Sequence, residues 1–238
     1  MKAIIAAAGQ GSRISSVADR APKTLLPIGL GTILSRIMAN FGAAGITEFV
    51  VVVGFRGEVI SEYLRANDNF GFRVTIIENE EWRRGNGISV HRAGSVLQPG
   101  ENALLSMADH LVSPDALRAM VKAGSGANLL LVDPRVEQVH DLDDATKVQV
   151  EGRRIVRIGK ELTEFNAIDC GVFLLTPRFF AAMGRQITCG RESISDGVRE
   201  LIGQGDFETV TIPDTGRWID IDTPEAYAEA LTRLEQLS

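Results

Sequence analysis

The sequence predicts an α/β fold in which a mostly parallel sheet is covered by helices on both faces. Three observations predict it. The first half alternates apolar runs of strand length with segments of helical spacing. Two of those runs, at 2–8 and at Glu48–Val53, are apolar without alternation, as strands buried on both faces are. The 238 residues are 45% hydrophobic and 24% charged, which excludes a disordered, collagenous or disulfide-scaffold chain. At that length about 70% of the unfolded surface can be buried, so no staple is needed.

The elements follow in order. Residues 2–8 form the first strand. Residues 32–44 place Ile33, Ile37 and Phe41 at helical spacing and stop at Gly45. A strand at Glu48–Val53, a short helix at 58–65 and an alternating strand at 72–77 come next, then a helix at 88–97. Residues 103–108 are an apolar strand with Asp109 just beyond it. Ser113 is a good N-cap with Pro114 at the first helical position, and that helix runs to Gly124. A strand at 128–132 closes the first half. Ligands of such sheets bind beyond the carboxyl ends of the strands, so the residues after Ala8, Ile77 and Ala108 converge on one rim.

The second half reads differently. Residues 146–161 are two alternating strands about Glu151 and Gly152, a hairpin signature. A strand at 165–176 ends at Pro177, and helices follow, one of them at 195–202. Residues 207–212 alternate, 218–221 form a short strand, and Thr223 caps a last helix that has Pro224 at its first position. No linker divides the chain. The expectation is one domain over 1–238, with 1–133 mainly nucleotide-binding and 134–238 mainly acceptor-binding.

Charge narrows the function. Twenty-five basic against 31 acidic residues give −6, which argues against a nucleic-acid partner held through phosphates. No apolar run approaches the roughly 20 residues that span a bilayer, so no membrane insertion is expected. The start, MKAIIAAAGQGSR, has too short an apolar run for a signal peptide. Cys170 and Cys189 make no framework, which fits a reducing cytoplasm. The three histidines, His91, His110 and His140, are not spaced as a metal set and read as surface or packing residues, although His110 adjoins Asp109 and is placed to orient it.

The strongest local signal is AAAGQGSR at 6–13 followed by PKTLLP at 22–27. Gly9 and Gly11 let backbone approach a ligand, and amides in such a loop form an anion nest. Arg13 and Lys23 add a planar fork and a compact point charge. A tight turn is one alternative. A dinucleotide site is another, but it wants a third glycine near Arg13 and an immediate helix, whereas 15–22 carries Asp19 and Pro22 and reads as a long loop. Asp109 and Asp222 each end a short strand; taken singly, either is equally a cap of the turn or helix that follows.

The two glycine–lysine motifs together resemble the sugar-phosphate nucleotidyltransferases, and the resemblance runs along nearly the whole chain through ENEEWRRGNGIS, MADH, DATKV, IGKE, FNAIDCGVFLLTP and WIDIDTPE. Within that family the combination looks most like the inositol-1-phosphate cytidylyltransferases. One departure is Ala108, where many members have Gly before the Asp. The resemblance implies a Rossmann-like three-layer αβα nucleotidyltransferase fold with a mixed, mostly parallel sheet and a β-hairpin insertion in the second half. It implies Mg²⁺, CTP and a small phosphorylated alcohol as acceptor, and it allows a homodimer. Asp109 and Asp222 become metal ligands, with Asp220 beside them as acceptor contact or support. Lys23 and Arg13 hold phosphates. Ala6, Ala7, Ala8, Gly9, Gly11, Ser12, Asn79, Gly85 and Asn86 line the nucleotide, with Asn79 reading the base through its side chain; Asn86 is equally a helix N-cap. Ser89, Lys147, Lys160 and Asp169, with Glu164 beside them, contact the acceptor. Phosphocholine, an aminoalkylphosphonate, and UTP or dTTP with a sugar 1-phosphate are the alternatives. A cationic acceptor wants aromatic or acidic walls, and the sequence shows no aromatic cluster near the acceptor region, which favours a polyol.

Overall fold

In the computed structural model, which describes residues 1–14, 17, 21–124, 126–139 and 141–237, the strands behave as their apolar runs require. Strand β1 (Lys2–Ala7) turns Ala3, Ile5 and Ala7 into one core and Ile4 into another. After the hairpin β2 (Pro27–Ile28) and β3 (Gly31–Thr32), α1 (Ile33–Ala43) begins at a reciprocal cap in which Thr32 Oγ1 accepts from Ser35 N and Ser35 Oγ from Thr32 N. Strand β4 (Glu48–Val53) repeats the division, with Phe49, Val51 and Val53 on one side and Val50 and Val52 on the other. Helix α2 (Gly57–Ala66), β5 (Arg73–Glu78), α3 (Asn86–Ala93), β6 (Ala103–Met107), β7 (His110–Val112), α4 (Pro114–Ala123) and β8 (Asn128–Asp133) complete the first half.

The second half holds β9 (Lys147–Glu151), β10 (Arg154–Gly159), β11 (Ala167–Leu175), α5 (Pro177–Thr188), α6 (Ile194–Gly203), β12 (Phe207–Thr211), β13 (Trp218–Asp220) and α7 (Pro224–Thr232). One nine-stranded sheet runs in the order β5-β4-β1-β6-β11-β8-β12-β10-β9. Pairings through β5, β4, β1 and β6, and between β8 and β12, are parallel, while β11 runs antiparallel to both β6 and β8. Apolar residues of α1, α2 and α4 cover one face; those of α3, α5 and α6 cover the other. The expected hairpin turns at Gly152, in the left-handed region at φ 61°, and β9 also pairs with the start of β11.

Several expected bounds move. The helix at 88–97 stops at Ala93 and passes into a single tighter turn, Gly94–Val96. The strand at 72–77 begins at Arg73 and ends the sheet, so one edge and several side chains stay exposed. Ser113 precedes α4 as expected but does not cap it: its Oγ accepts from Arg217 N at 2.9 Å, and its own N donates to Arg217 O. That exchange continues a pairing the sequence did not announce. Strand β13 lies antiparallel to β7, Trp218 opposite Val112 and Asp220 opposite His110, and Ile221 N donates to Asp109 O at 2.9 Å. Two segments more than 100 residues apart thereby meet at the end of β6. The loop expected over 15–22 and His140 fall largely outside the described residues. Among the described residues no helix is long and apolar enough to cross a membrane.

Candidate active site

The carboxyl rim of the sheet carries a network of alternating charge. Lys23, buried, donates from Nζ to Asp109 Oδ2 at 2.8 Å and to Asp222 Oδ1. Arg13 reaches Asp222 and Asp144. Lys160 Nζ donates to Asp144 Oδ1 at 2.7 Å. Gly11 permits this layout: it sits at φ 66°, and a Cβ there would lie 2.8 Å from Lys23 Cβ. Burial opposes the charge on Lys23, but Asp109 and Asp222 outweigh it and raise the lysine above its ordinary range. Burial likewise pushes Asp109 up, and Lys23 and His110 overcome it, holding that carboxyl well below the usual range.

His110 is not the packing residue expected from its spacing. Its Nδ1 lies 2.8 Å from Asp109 Oδ1 and 3.8 Å from Asp220 Oδ1. Its ring stacks on Trp218 with centroids 5.8 Å apart and planes 7° from parallel, and Trp218 Nε1 donates to Asp133 Oδ2 at 2.9 Å. Burial would lower His110, yet Asp220 and Asp109 raise it to about 9, so it is the cation of this corner at neutral pH. Asp220 is raised to about 6 by loss of water and by Asp109 and Asp222, and its Oδ1 is buried with no hydrogen-bond partner among the described residues. Two carboxylates meeting on one lysine, beside a third with an unsatisfied oxygen, are the hard oxygen donors that a divalent cation takes.

Two cavities open on this network. One of about 250 Å³ is walled by the glycine loop and Lys23; the other, about 310 Å³, is walled by the ends of β6 and β8, the start of β11, and β13. Arg13, Asp109 and Asp222 belong to both.

Of the residues expected at the nucleotide, Ala6, Ala7, Gly9, Gly11, Ser12, Arg13 and Lys23 come together on the smaller cavity. A methyl group at Gly9 would meet nothing within 4 Å among the described residues, so its surroundings are open. Others lie outside that cavity. Ala8 turns its carbonyl to Phe55 N, 3.0 Å away. Asn79 has no exposed surface; its Oδ1 accepts from Glu81 N and its Nδ2 donates to Ser89 Oγ, so its side chain braces a turn instead of presenting itself to a base. Ser89, expected at the acceptor, is consumed by the same bond and lies outside both cavities. Gly85 is the residue before α3, and Asn86 is its first helical residue and not its cap. Gly85 and Gly87 are small because the Glu192 backbone lies against them, with a Cβ at either meeting it within 2.6 Å. Asn86 Oδ1 accepts from Ile194 N at 2.9 Å while the residue lines the larger cavity.

Asp169, Lys160 and Asp220 line the larger cavity, but Lys147 does not. That lysine is buried beneath Phe165 and donates to Asp143 O and Lys160 O, tying a turn to the end of β10. Glu164 is exposed outside the lining. The expectation of a wall without aromatic residues is also corrected: Trp218 and Phe173 both line the cavity, beside Asp133, Asp141, Asp144 and Asp169. Cys170 is core, as expected, and His91 contacts Phe180 O from the surface.

Asp169 provides a pH test. Its Oδ1 accepts from Gly171 N at 2.7 Å, but burial dominates and raises the carboxyl to about 6. A folded value above the unfolded one of about 3.9 means that ionised Asp169 destabilises the fold above pH 6 and costs nothing below pH 4. Asp169→Asn is therefore expected to stabilise the protein by about 1–2 kcal/mol at pH 8 and by nothing at pH 4. Urea midpoints at the two pH values check this.

A glycine loop and lysine facing carboxylates at the carboxyl rim of a covered, mixed sheet define an α/β nucleotidyltransferase. The chain belongs to the MobA-like NTP transferase domain family, whose model matches residues 3–205. It is 33% identical over 225 residues to a protein of Rubrobacter xylanophilus named bifunctional IPC transferase and DIPP synthase, covering 94% of this chain and 49% of that protein. A protein of the same name from Thermococcus kodakarensis is 33% identical over 230 residues, covering 96% and 49%. The chain thus spans about half the length of these relatives. Its fold matches the structure titled inositol-1-phosphate CTP transferase from T. maritima with a TM-score of 0.88 at 23% identity, over 99% of this chain and 95% of that one.

Proposed function

We propose that this chain transfers a cytidylyl group from CTP to inositol 1-phosphate, giving CDP-inositol and pyrophosphate. The observation that carries the reading is the meeting of two cavities on Arg13, Asp109 and Asp222. One cavity takes the triphosphate and the other the acceptor, so the reacting groups face each other across one charged seam. The names of the relatives, and of the T. maritima enzyme, support the choice of base and acceptor.

The chemistry demands positioning above all. A phosphate monoester has its second pKa near 6 and is largely a dianion at pH 7, so its oxygen attacks the α-phosphorus without a general base. The protein must hold two polyanions in line and offset the charge that accumulates. Lys23 contacts the α-phosphate or the incoming phosphate, and Arg13 the β- and γ-phosphates. Asp109 and Asp222 would hold Mg²⁺, with His110 fixing the orientation of Asp109 through its 2.8 Å contact. Mg²⁺ supplies positive charge to phosphate oxygens there. Asp169, with the acids around it, accepts from acceptor hydroxyls, and Lys160 binds the acceptor phosphate.

A second reading has its own observation. Trp218 and the aspartates of the cavity wall are also the surroundings that a cationic acceptor needs. Pyrophosphate release decides, measured with CTP, UTP or dTTP and Mg²⁺ against inositol 1-phosphate, phosphocholine, 2-aminoethylphosphonate and glucose 1-phosphate. Turnover with CTP and inositol 1-phosphate is expected to exceed every other pair. A preference for a cationic acceptor would replace the polyol, and a preference for UTP or dTTP with the sugar phosphate would replace both base and acceptor.

A further inference from the structure

We propose that Asp144 is an internal competitor of substrate phosphate: its carboxylate holds the same two cations, Arg13 and Lys160, that a phosphate at the seam requires, and so limits how tightly phosphate binds. The proposal rests on the reading of the two cavities as phosphate sites.

Six side chains from distant parts of the chain alternate in sign across the rim: Asp109, Lys23, Asp222, Arg13, Asp144 and Lys160. Asp109 and Asp222 at one end have carboxylate work of their own beside the unsatisfied Asp220. Asp144 stands at the other end, away from that acidic corner: its carboxylate meets Arg13 and Lys160, and it lines the larger cavity between them. Its position is built. Lys147 ties the turn to the neighbouring strand by donating to Asp143 O at 3.3 Å and to Lys160 O at 2.7 Å. This ties the Asp143 carbonyl, next to Asp144, to the Lys160 carbonyl and so holds the two backbones together.

Carboxylate and phosphate oxygens accept from a guanidinium fork in the same way. They therefore exclude each other on Arg13, and leaving Asp144 in place beside bound phosphate sets two anions against each other. The Asp144 side chain is 36% exposed, against 47% for Arg13 and 49% for Lys160. Ion pairs that wet are weak, and the carboxylate has water to turn towards. The contact therefore attenuates phosphate binding without preventing it. It also keeps Arg13 from holding product pyrophosphate too firmly.

The test compares wild type with Asp144→Asn, which removes the charge and keeps the shape, by calorimetric titration with inorganic pyrophosphate in metal-free buffer. The variant is expected to bind pyrophosphate roughly three- to tenfold more tightly, with the gain shrinking in high salt. In a Lys160→Gln background the gain from Asp144→Asn is expected to fall, because one of the two contested cations is gone. In turnover, KM for the triphosphate is expected to fall and inhibition by added pyrophosphate to strengthen. Weaker binding by Asp144→Asn would make the carboxylate a support for Arg13 and overturn the proposal. Equal binding in both proteins overturns it too, and leaves the reading of the cavities standing. Pyrophosphate ignored by wild type and variant alike removes that reading and the proposal together.

Discussion

Asp109→Ala is expected to lower kcat/KM by about a thousandfold or more, roughly 4 kcal/mol of transition-state stabilisation, while circular dichroism stays that of a folded protein. The carboxylate stands where the two cavities join, and it touches both the lysine and the histidine of the network. Asp109→Asn keeps the shape and loses the charge, and it should lose nearly as much. Stability responds with a defined sign. The folded carboxyl is held far below the unfolded value of about 3.9, so its contribution is present above that pH and fades as the pH falls further. Removing the carboxylate leaves the buried Lys23 with Asp222 alone, a cost of about 1–3 kcal/mol at neutral pH. Turnover near that of the wild type would take Asp109 out of the proposed metal site.

Gly171→Ala is expected to damage both stability and turnover although it lies outside the charged network. Gly171 stands at φ 73°, and a Cβ there would lie 2.3 Å from His110 Cδ2 and 2.4 Å from Cγ. The ring is already held by its stack on Trp218 and its contact with Asp109, so the added methyl must displace it. Left-handed backbone costs an alanine about 1–2 kcal/mol, and overpacking adds about 1–3. A fall in Tm of roughly 5–12 °C follows for a chain of this size, together with a loss of turnover. Gly152→Ala is the control: it has the same handedness at φ 61° in open space, so only the backbone cost applies. Equal Tm losses in the two variants would show that the imidazole moves aside freely and is not a fixed support of Asp109.

Much of this was legible in the sequence because it rests on local periodicity. The doubly buried strands at 2–7 and 48–53, the hairpin turn at Gly152 and the loop glycines before Lys23 each follow from a few adjacent residues. What was not legible depends on contacts between distant segments. Nothing within RRGNG reveals that Gly85 and Gly87 are small because the Glu192 backbone crosses them. The pairing of β7 with β13 has only three residues on each side, too few for a pattern, yet it carries Asp222 and Trp218 to Asp109 and His110. Lys147 is a related case. Nothing in its own neighbourhood shows that Phe165 and the carbonyls of Asp143 and Lys160 close over its side chain and bury it.

The reversed direction of β11 has a consequence for how such a protein diversifies. Because this strand enters the sheet from the rim where its neighbours leave it, its own Asp169 and Gly171 wall the larger cavity, and the connection before it overhangs that cavity at Lys160. Lengthening or exchanging that overhang would remodel one compartment and spare the glycine loop in the other. On the proposed reading, a single scaffold then keeps its triphosphate site unchanged while lineages try new acceptors.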